Sequence, residues 1–175
     1  MKLEARLYYA RVIIYKEGIG RQVVADMVKT VFAHLSETLP LRMERYCQNA
    51  KKVAEFFKTS DKIERVSYPG LEGDPYYDLA KKYLPLGTCG VISISIKGGR
   101  KAAVRFMDAL KLASDEVHVA DIRTCVLHPA SATHRQLTDE QLVAAGIDGG
   151  LVRFSCGLEN VEDIIEDIKL GLAAI

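Results

Sequence analysis

No Cys-x-x-Cys pair, no long uncharged apolar run and no surplus of one charge occur in this chain, and each absence removes a class of function. The cysteines Cys47, Cys89, Cys125 and Cys156 are widely scattered, so buried free thiols in a cytoplasmic protein are expected. Lys and Arg number 24 against 23 Asp and Glu, a net charge of +1. Basic residues alternate with acids on helical faces, as in Arg42-Met43-Glu44-Arg45, so no clustered cationic field is available for nucleic acid or an anionic membrane. No window approaches the length of a transmembrane helix, and Arg11 interrupts the apolar run from Leu7 to Tyr15 that a secretory signal would need. Internal repeats and low-complexity segments are also missing.

What remains is a 175-residue chain, 49% hydrophobic and 27% charged, of a length that buries one core. Residues 1–20 alternate weakly and end at the turn signal Gly18-Ile19-Gly20. Val24, Met27, Val28, Val31 and Leu35 recur at helical spacing, and Leu39, Met43, Tyr46, Ala50, Val53 and Phe57 mark a stronger helix with Pro40 near its start. Strands are expected over Ile63 to Tyr68, Val91 to Ile96, Val117 to Ile122 and Thr124 to Leu127, with short helices over Tyr76 to Leu84 and around Ala103 to Leu110. Thr138-Asp139-Glu140-Gln141 is a capping box, and the final helix carries Val161, Ile164, Ile165, Ile168 and Leu172 on one face. The connections predict an α+β two-layer fold: a small mixed, largely antiparallel sheet of about four strands covered by helices.

The segment from Gly150 to Glu159 concentrates the chemistry. It reads as a buried strand with Arg153 in its middle that turns at Gly157 into a helix. A cation there needs an anionic partner, because an unpaired buried charge costs several kcal/mol. Guanidinium offers a planar fork that fits a carboxylate two-to-two. Two readings stay open: a receptor for a substrate carboxylate, or an internal salt bridge to an acid such as Asp121 or Glu159. His128 and His134 have neither the further ligands a metal site needs nor a nucleophile with an orienting acid, so they read as a structural loop border and no metal site is expected. Gly98-Gly99-Arg100 lacks the ending of a P-loop and reads as a tight turn, and Lys62 reads as a surface lysine.

Four blocks in order carry a resemblance: Glu37-Thr38-Leu39-Pro40-Leu41-Arg42-Met43-Glu44-Arg45, Tyr68 through Tyr77, His128-Pro129-Ala130-Ser131-Ala132-Thr133-His134, and Leu151 through Glu159. From about Glu37 to Ile175 the chain resembles the C-terminal domain of the Cys/Met-metabolism family of pyridoxal-phosphate enzymes, with O-acetylhomoserine sulfhydrylase the nearest resemblance. The resemblance implies residues 1–36 as a divergent N-terminal segment and 37–175 as the substrate-side C-terminal domain of a fold-type I enzyme. It assigns the substrate α-carboxylate to Arg153, with Thr124 as the supporting hydroxyl beside it. The family's Ser-Pro-Phe-Asn segment and Gln-Gly pair are replaced here by Ala25-Asp26-Met27-Val28 and His34-Leu35.

Pyridoxal phosphate is the family cofactor, yet the Schiff-base lysine, the pyridinium partner and the phosphate cradle belong to the family's large domain. Thr59-Ser60-Asp61-Lys62 does not match the family's Ser-x-Thr-Lys pattern, so no catalytic or cofactor-binding residue is assigned and no cofactor is expected on this chain alone. The resulting expectation is a separated C-terminal domain of an O-acetylhomoserine sulfhydrylase-like enzyme, cytoplasmic and inactive by itself. Its partners would be the carboxylate of an amino-acid substrate and either a second copy or a separate cofactor-domain chain. The alternatives are a non-catalytic oligomerisation or regulatory module, or one chain of a split enzyme.

Overall fold

The computed structural model of the chain describes residues 21–175; the expected alternation in residues 1–20 lies outside them. The chain divides into two units, one ending at Leu41 and the other running Arg42–Ile175. Helix α1 (Arg21–Glu37) is followed after Thr38 by α2 (Leu39–Lys58), so the proline falls in the first turn of a new helix, where its missing N–H costs least. On α1 the side chains of Val28, Val31, Phe32 and Leu35 are exposed; those of Val24 and Met27 lie outside the described residues.

In the second unit the elements after α2 are β1 (Ile63–Ser67), α3 (Tyr77–Tyr83), β2 (Val91–Ile96), α4 (Gly99–Asp108), β3 (Ser114–Asp115), β4 (Cys125–Leu127), α5 (Asp139–Ala144), β5 (Leu151–Ser155) and α6 (Val161–Ala173). They build one sheet in the order β1-β2-β5-β4-β3. Pairs β1·β2, β2·β5 and β4·β5 are antiparallel and β3·β4 is parallel, giving the mixed, largely antiparallel α+β architecture. The sheet has five strands where about four were expected, because the two-residue β3 carries no alternation that a sequence could display.

Period-two alternation assigns each residue to one face of the sheet. Ile92, Ile94, Ile96, Val126, Val152 and Phe154 form the core face, packed against Ala50, Val53 and Phe57 of α2, Ala103 and Phe106 of α4 and Ile164 and Ile168 of α6. Phe57 meets Phe154 edge-on, with ring centroids 5.6 Å apart. Gly171 lets α6 approach α4, since a Cβ there would lie 2.7 Å from the Phe106 ring. The opposite face carries one row of Ser67, Ser93, Arg153 and Leu127 and a neighbouring row of Val91, Ser155 and Cys125.

Three expectations are corrected. Val117 to Ile122 is not a strand: Ala120 adopts φ 55°, which breaks the extended run, and Val117, Val119 and Ile122 are exposed rather than packed. β5 is not buried throughout: Val152 and Phe154 are sealed on the core face, while on the other face Ser155 is buried but Leu151 and Arg153 are only half-buried. Lys62 is not a free surface lysine: its Nζ donates to the carbonyls of Leu172 at 2.7 Å and Ile175 at 2.5 Å, satisfying acceptors left open at the end of α6. The capping box forms as expected, Thr138 and Gln141 exchanging both hydrogen bonds. Among the described residues no helix is long and apolar enough to cross a membrane.

Candidate functional site

Arg153 stands at the centre of the face that the helices leave uncovered. Its strand neighbours in register are Ser93 on β2 and Leu127 on β4, and the short serine permits space beside the guanidinium. One Nη atom donates to the carbonyls of Val117 at 2.7 Å and His118 at 3.3 Å. The Nε atom is buried and makes no hydrogen bond. Among the described residues no carboxylate pairs with Arg153. Asp121 and Glu159, the acids that could have occupied the fork, are engaged elsewhere: Asp121 with His118 and Arg123, Glu159 with Thr124.

Thr124 is not hydrogen-bonded to Arg153, and the expectation of a supporting hydroxyl beside it is corrected. Cys125 lies on the Arg153 face, so its neighbour Thr124 points the other way. Thr124 is fully buried; its hydroxyl donates to Glu159 Oε2 at 3.0 Å and accepts from the Gly157 N–H at 3.0 Å, while its own N–H donates to Glu159 Oε1 at 2.6 Å. A hydroxyl has one hydrogen to give, and this one is spent. The role of Thr124 is to lock the turn that follows β5. Asn49 of α2 grips the same turn from below, donating to the carbonyls of Gly157 at 2.9 Å and Glu159 at 3.0 Å. Only glycine fits at position 157, because a Cβ would collide with the backbone of Arg123 and Thr124.

The segment 116–122 folds over the Cys125–Ser155 end of the open face and was not recognised in sequence as part of a site. It is pinned at Ala120 from two sides: Tyr46 Oη donates to the Ala120 carbonyl at 3.1 Å, and the Ala120 N–H donates to Ser155 Oγ at 3.3 Å. His118 Nδ1 lies 2.9 Å from Glu116 Oε2 and 3.6 Å from Asp121 Oδ2, and Arg123 reaches both acids from outside. Beneath them is the buried thiol of Cys125, pushed up to about 11 by burial and then by the Asp121 and Glu116 charges. Spacing gave no sign of this cluster, because an extended strand over 117–122 would have separated its members.

His128 has no catalytic arrangement. Its Nε2 faces the Gly149 carbonyl at 2.8 Å, which can only accept, so Nε2 donates there, and Nδ1 makes a 2.8 Å hydrogen bond with the Ser131 hydroxyl. His134 contacts Thr133 of the same loop. Gly98 and Gly99 have φ of 94° and 63° and form the tight turn into α4. A depression of about 540 Å³ lined by Cys47, Lys51, Tyr68, Tyr77 and Lys81 contains none of the Arg153 residues.

A family model described as Cys/Met metabolism PLP-dependent enzyme matches residues 12–173. An L-methionine gamma-lyase of Fusobacterium nucleatum subsp. polymorphum is 50% identical over 139 residues, 79% of this chain and 35% of that protein. An O-acetyl-L-homoserine sulfhydrylase of Leptospira meyeri is 48% identical over 140 residues, 79% of this chain and 32% of that protein. The crystal structure of an O-acetylhomoserine (thiol)-lyase from Campylobacter jejuni, which carries N'-pyridoxyl-lysine-5'-monophosphate, superposes with a TM-score of 0.72 at 38% identity, covering 78% of this chain and 32% of that one. The chain thus spans about a third of the length of the curated relatives it matches.

Among the described residues no lysine is placed for covalent attachment of pyridoxal phosphate. Every described lysine is exposed except Lys62, which is half-buried and committed to the end of α6. None sits in an enclosed pocket where its amine would be desolvated for covalent attachment.

Proposed function

Since the chain belongs to the Cys/Met metabolism PLP-dependent enzyme family, we propose that its described residues form the substrate-carboxylate side of such an active site, with Arg153 as the anchor. The observation that carries this reading is the state of the guanidinium: half-buried on the open face, held by two carbonyls and given no carboxylate, with a buried Nε–H still lacking a partner. Among the described residues the guanidinium charge has no counter-ion, and an incoming carboxylate would neutralise it while gaining charge-assisted hydrogen bonds from the Nη atoms. The carbonyls of Val117 and His118 orient the group without neutralising it.

The reaction we assign is sulfhydrylation of O-acetylhomoserine to homocysteine, in support of methionine synthesis, with the cofactor held by a separate unit. The resemblance to O-acetyl-L-homoserine sulfhydrylases supports it; the equal similarity to L-methionine gamma-lyases supports the same carboxylate chemistry with a different leaving group. When bound elsewhere, pyridoxal phosphate would supply the electron sink; the residues of this chain bind and orient the amino acid. By this reading the isolated chain catalyses nothing, works in the cytoplasm and needs a second copy or a cofactor-holding chain. The exposed Val28, Val31, Phe32 and Leu35 on α1 support an association surface.

The test is titration of the labelled chain with O-acetyl-L-homoserine, followed by NMR. Shifts around Ser93, Leu127 and His118 that vanish in Arg153→Met are expected. Equal binding by the variant, or no perturbation of these residues at saturating ligand, refutes the anchor. Borohydride reduction after adding pyridoxal phosphate should leave no stoichiometric adduct on any one lysine, and sedimentation should show more than a monomer.

A further inference from the structure

We propose that Glu116, His118, Asp121 and Cys125 form a binding site for a zinc-class divalent cation, built into the segment that orients Arg153. Carboxylate oxygens of Glu116 and Asp121 and the Sγ of Cys125 all lie within 4.8 Å of one another. His118 Nδ1 is 2.9 Å from the first carboxylate and 3.6 Å from the second. Around a tetrahedral ion with bonds of about 2.0–2.3 Å, neighbouring donors are separated by roughly 3.3–3.8 Å. Contraction by about an ångström brings the Glu116, Asp121 and Cys125 donors to that spacing, and His118, beside both carboxylates, would complete the set by turning its side chain on an exposed segment.

The donor set is mixed, and that decides the ion. A thiolate and an imidazole with two carboxylates suit zinc or cobalt, whereas magnesium and calcium take oxygen donors. The thiol is the informative member. Cys125 is only 1% exposed, fixed by its register opposite Ser155, and lies under two acids with one long contact, 3.5 Å to the Arg123 carbonyl. Two carboxylates beside a buried sulfur place charged oxygen donors next to a soft one, a set that a borderline divalent cation matches. Binding would release the thiol proton to solvent and leave one Cys125 sulfur–metal bond in its place. Arg123 now serves as counter-ion, with Nη2 3.2 Å from Glu116 Oε1 and Nε 3.8 Å from Asp121 Oδ1; its side chain is 53% exposed and can withdraw.

The consequence reaches the carboxylate anchor. Val117 and His118, whose carbonyls receive the Arg153 guanidinium, lie between two of the donors, so an ion there ties the guanidinium's rest to β4. The site itself uses no atom of Arg153, and the two readings are separable.

Cobalt(II) titration of the reduced full chain tests the proposal. The expected result is a near-ultraviolet thiolate-to-cobalt charge-transfer band saturating at one equivalent, with the visible bands of a tetrahedral ion. Cys125→Ser should abolish the charge-transfer band, whereas Cys47→Ser and Arg153→Met should retain it. Glu116→Gln and His118→Gln, on the exposed segment where folding is not at risk, should weaken affinity by more than about tenfold. Absence of the band in the native chain, its survival in Cys125→Ser, or native affinity in both Glu116→Gln and His118→Gln overturns the site.

Discussion

Replacing Arg153 by Met separates an anchor from a structural cation, and the structure sets the size of the effect. The variant loses a 2.7 Å hydrogen bond to the Val117 carbonyl and a longer one of 3.3 Å to that of His118. A hydrogen bond to a charged group contributes about 1.5–3 kcal/mol, but both carbonyls belong to exposed residues that water can solvate, so the net loss is nearer 1 kcal/mol for the pair. In the other direction, the variant removes a buried Nε–H without a partner, whose desolvation costs about 1–3 kcal/mol. The methionine stem keeps much of the apolar contact of the arginine stem. The two terms oppose each other, and the expected change in unfolding free energy is within about 1 kcal/mol of zero. Had Arg153 been paired with a buried carboxylate, breaking the pair would cost about 3–5 kcal/mol. Urea unfolding followed by far-ultraviolet circular dichroism distinguishes these values, because the slope with denaturant should be unchanged and the midpoint carries the difference. A loss above about 3 kcal/mol would show that the guanidinium supports the fold and would refute its assignment as a site kept open for a ligand.

Thr124→Val should behave oppositely: it strands the Gly157 N–H and removes a hydrogen bond to the Glu159 carboxylate, lowering stability by about 2–4 kcal/mol in the same assay, while leaving any Arg153-dependent amino-acid binding in place in the folded fraction. The Cys125 thiol is raised from 9.0 to about 11, so its contribution to stability is full below about pH 9 and is lost as pH rises toward 11, where the unfolded chain sheds a proton that the folded chain keeps; Cys125→Ala should flatten that part of the alkaline unfolding profile, and an unchanged profile would contradict the shift. Lys62→Met should cost roughly 0.5–1 kcal/mol by uncapping the carbonyls at the end of α6, and it should show as faster amide exchange confined to that helix's last turn.

Periodicity was sufficient where an element buries one clean face. Val91 to Ile96 alternates because Ile92, Ile94 and Ile96 must all meet the helices, and Val161, Ile164 and Ile168 repeat at helical spacing for the same reason. The capping box and the Gly157 turn were also legible, since each depends on residues a few positions apart. Arg153 could be singled out because a charge amid apolar strand residues conflicts with its surroundings at any register. What occupies its fork could not be read in the same way. That depends on where Asp121, Glu159 and Thr124 come to lie, and their partners are fixed by chain crossings: Thr124 to Glu159 across the start of β4 and the end of β5, and Ala120 between Tyr46 and Ser155. The left-handed turn at Ala120 left no mark in composition, because alanine carries no preference for that conformation; only the two hydrogen bonds that hold it there make it stable. Local pattern therefore determined the layers and the arginine, while the tertiary fold decided which charges meet, because hydrogen bonds and ion pairs reach only a few ångströms and depend on register, turn and sheet order together.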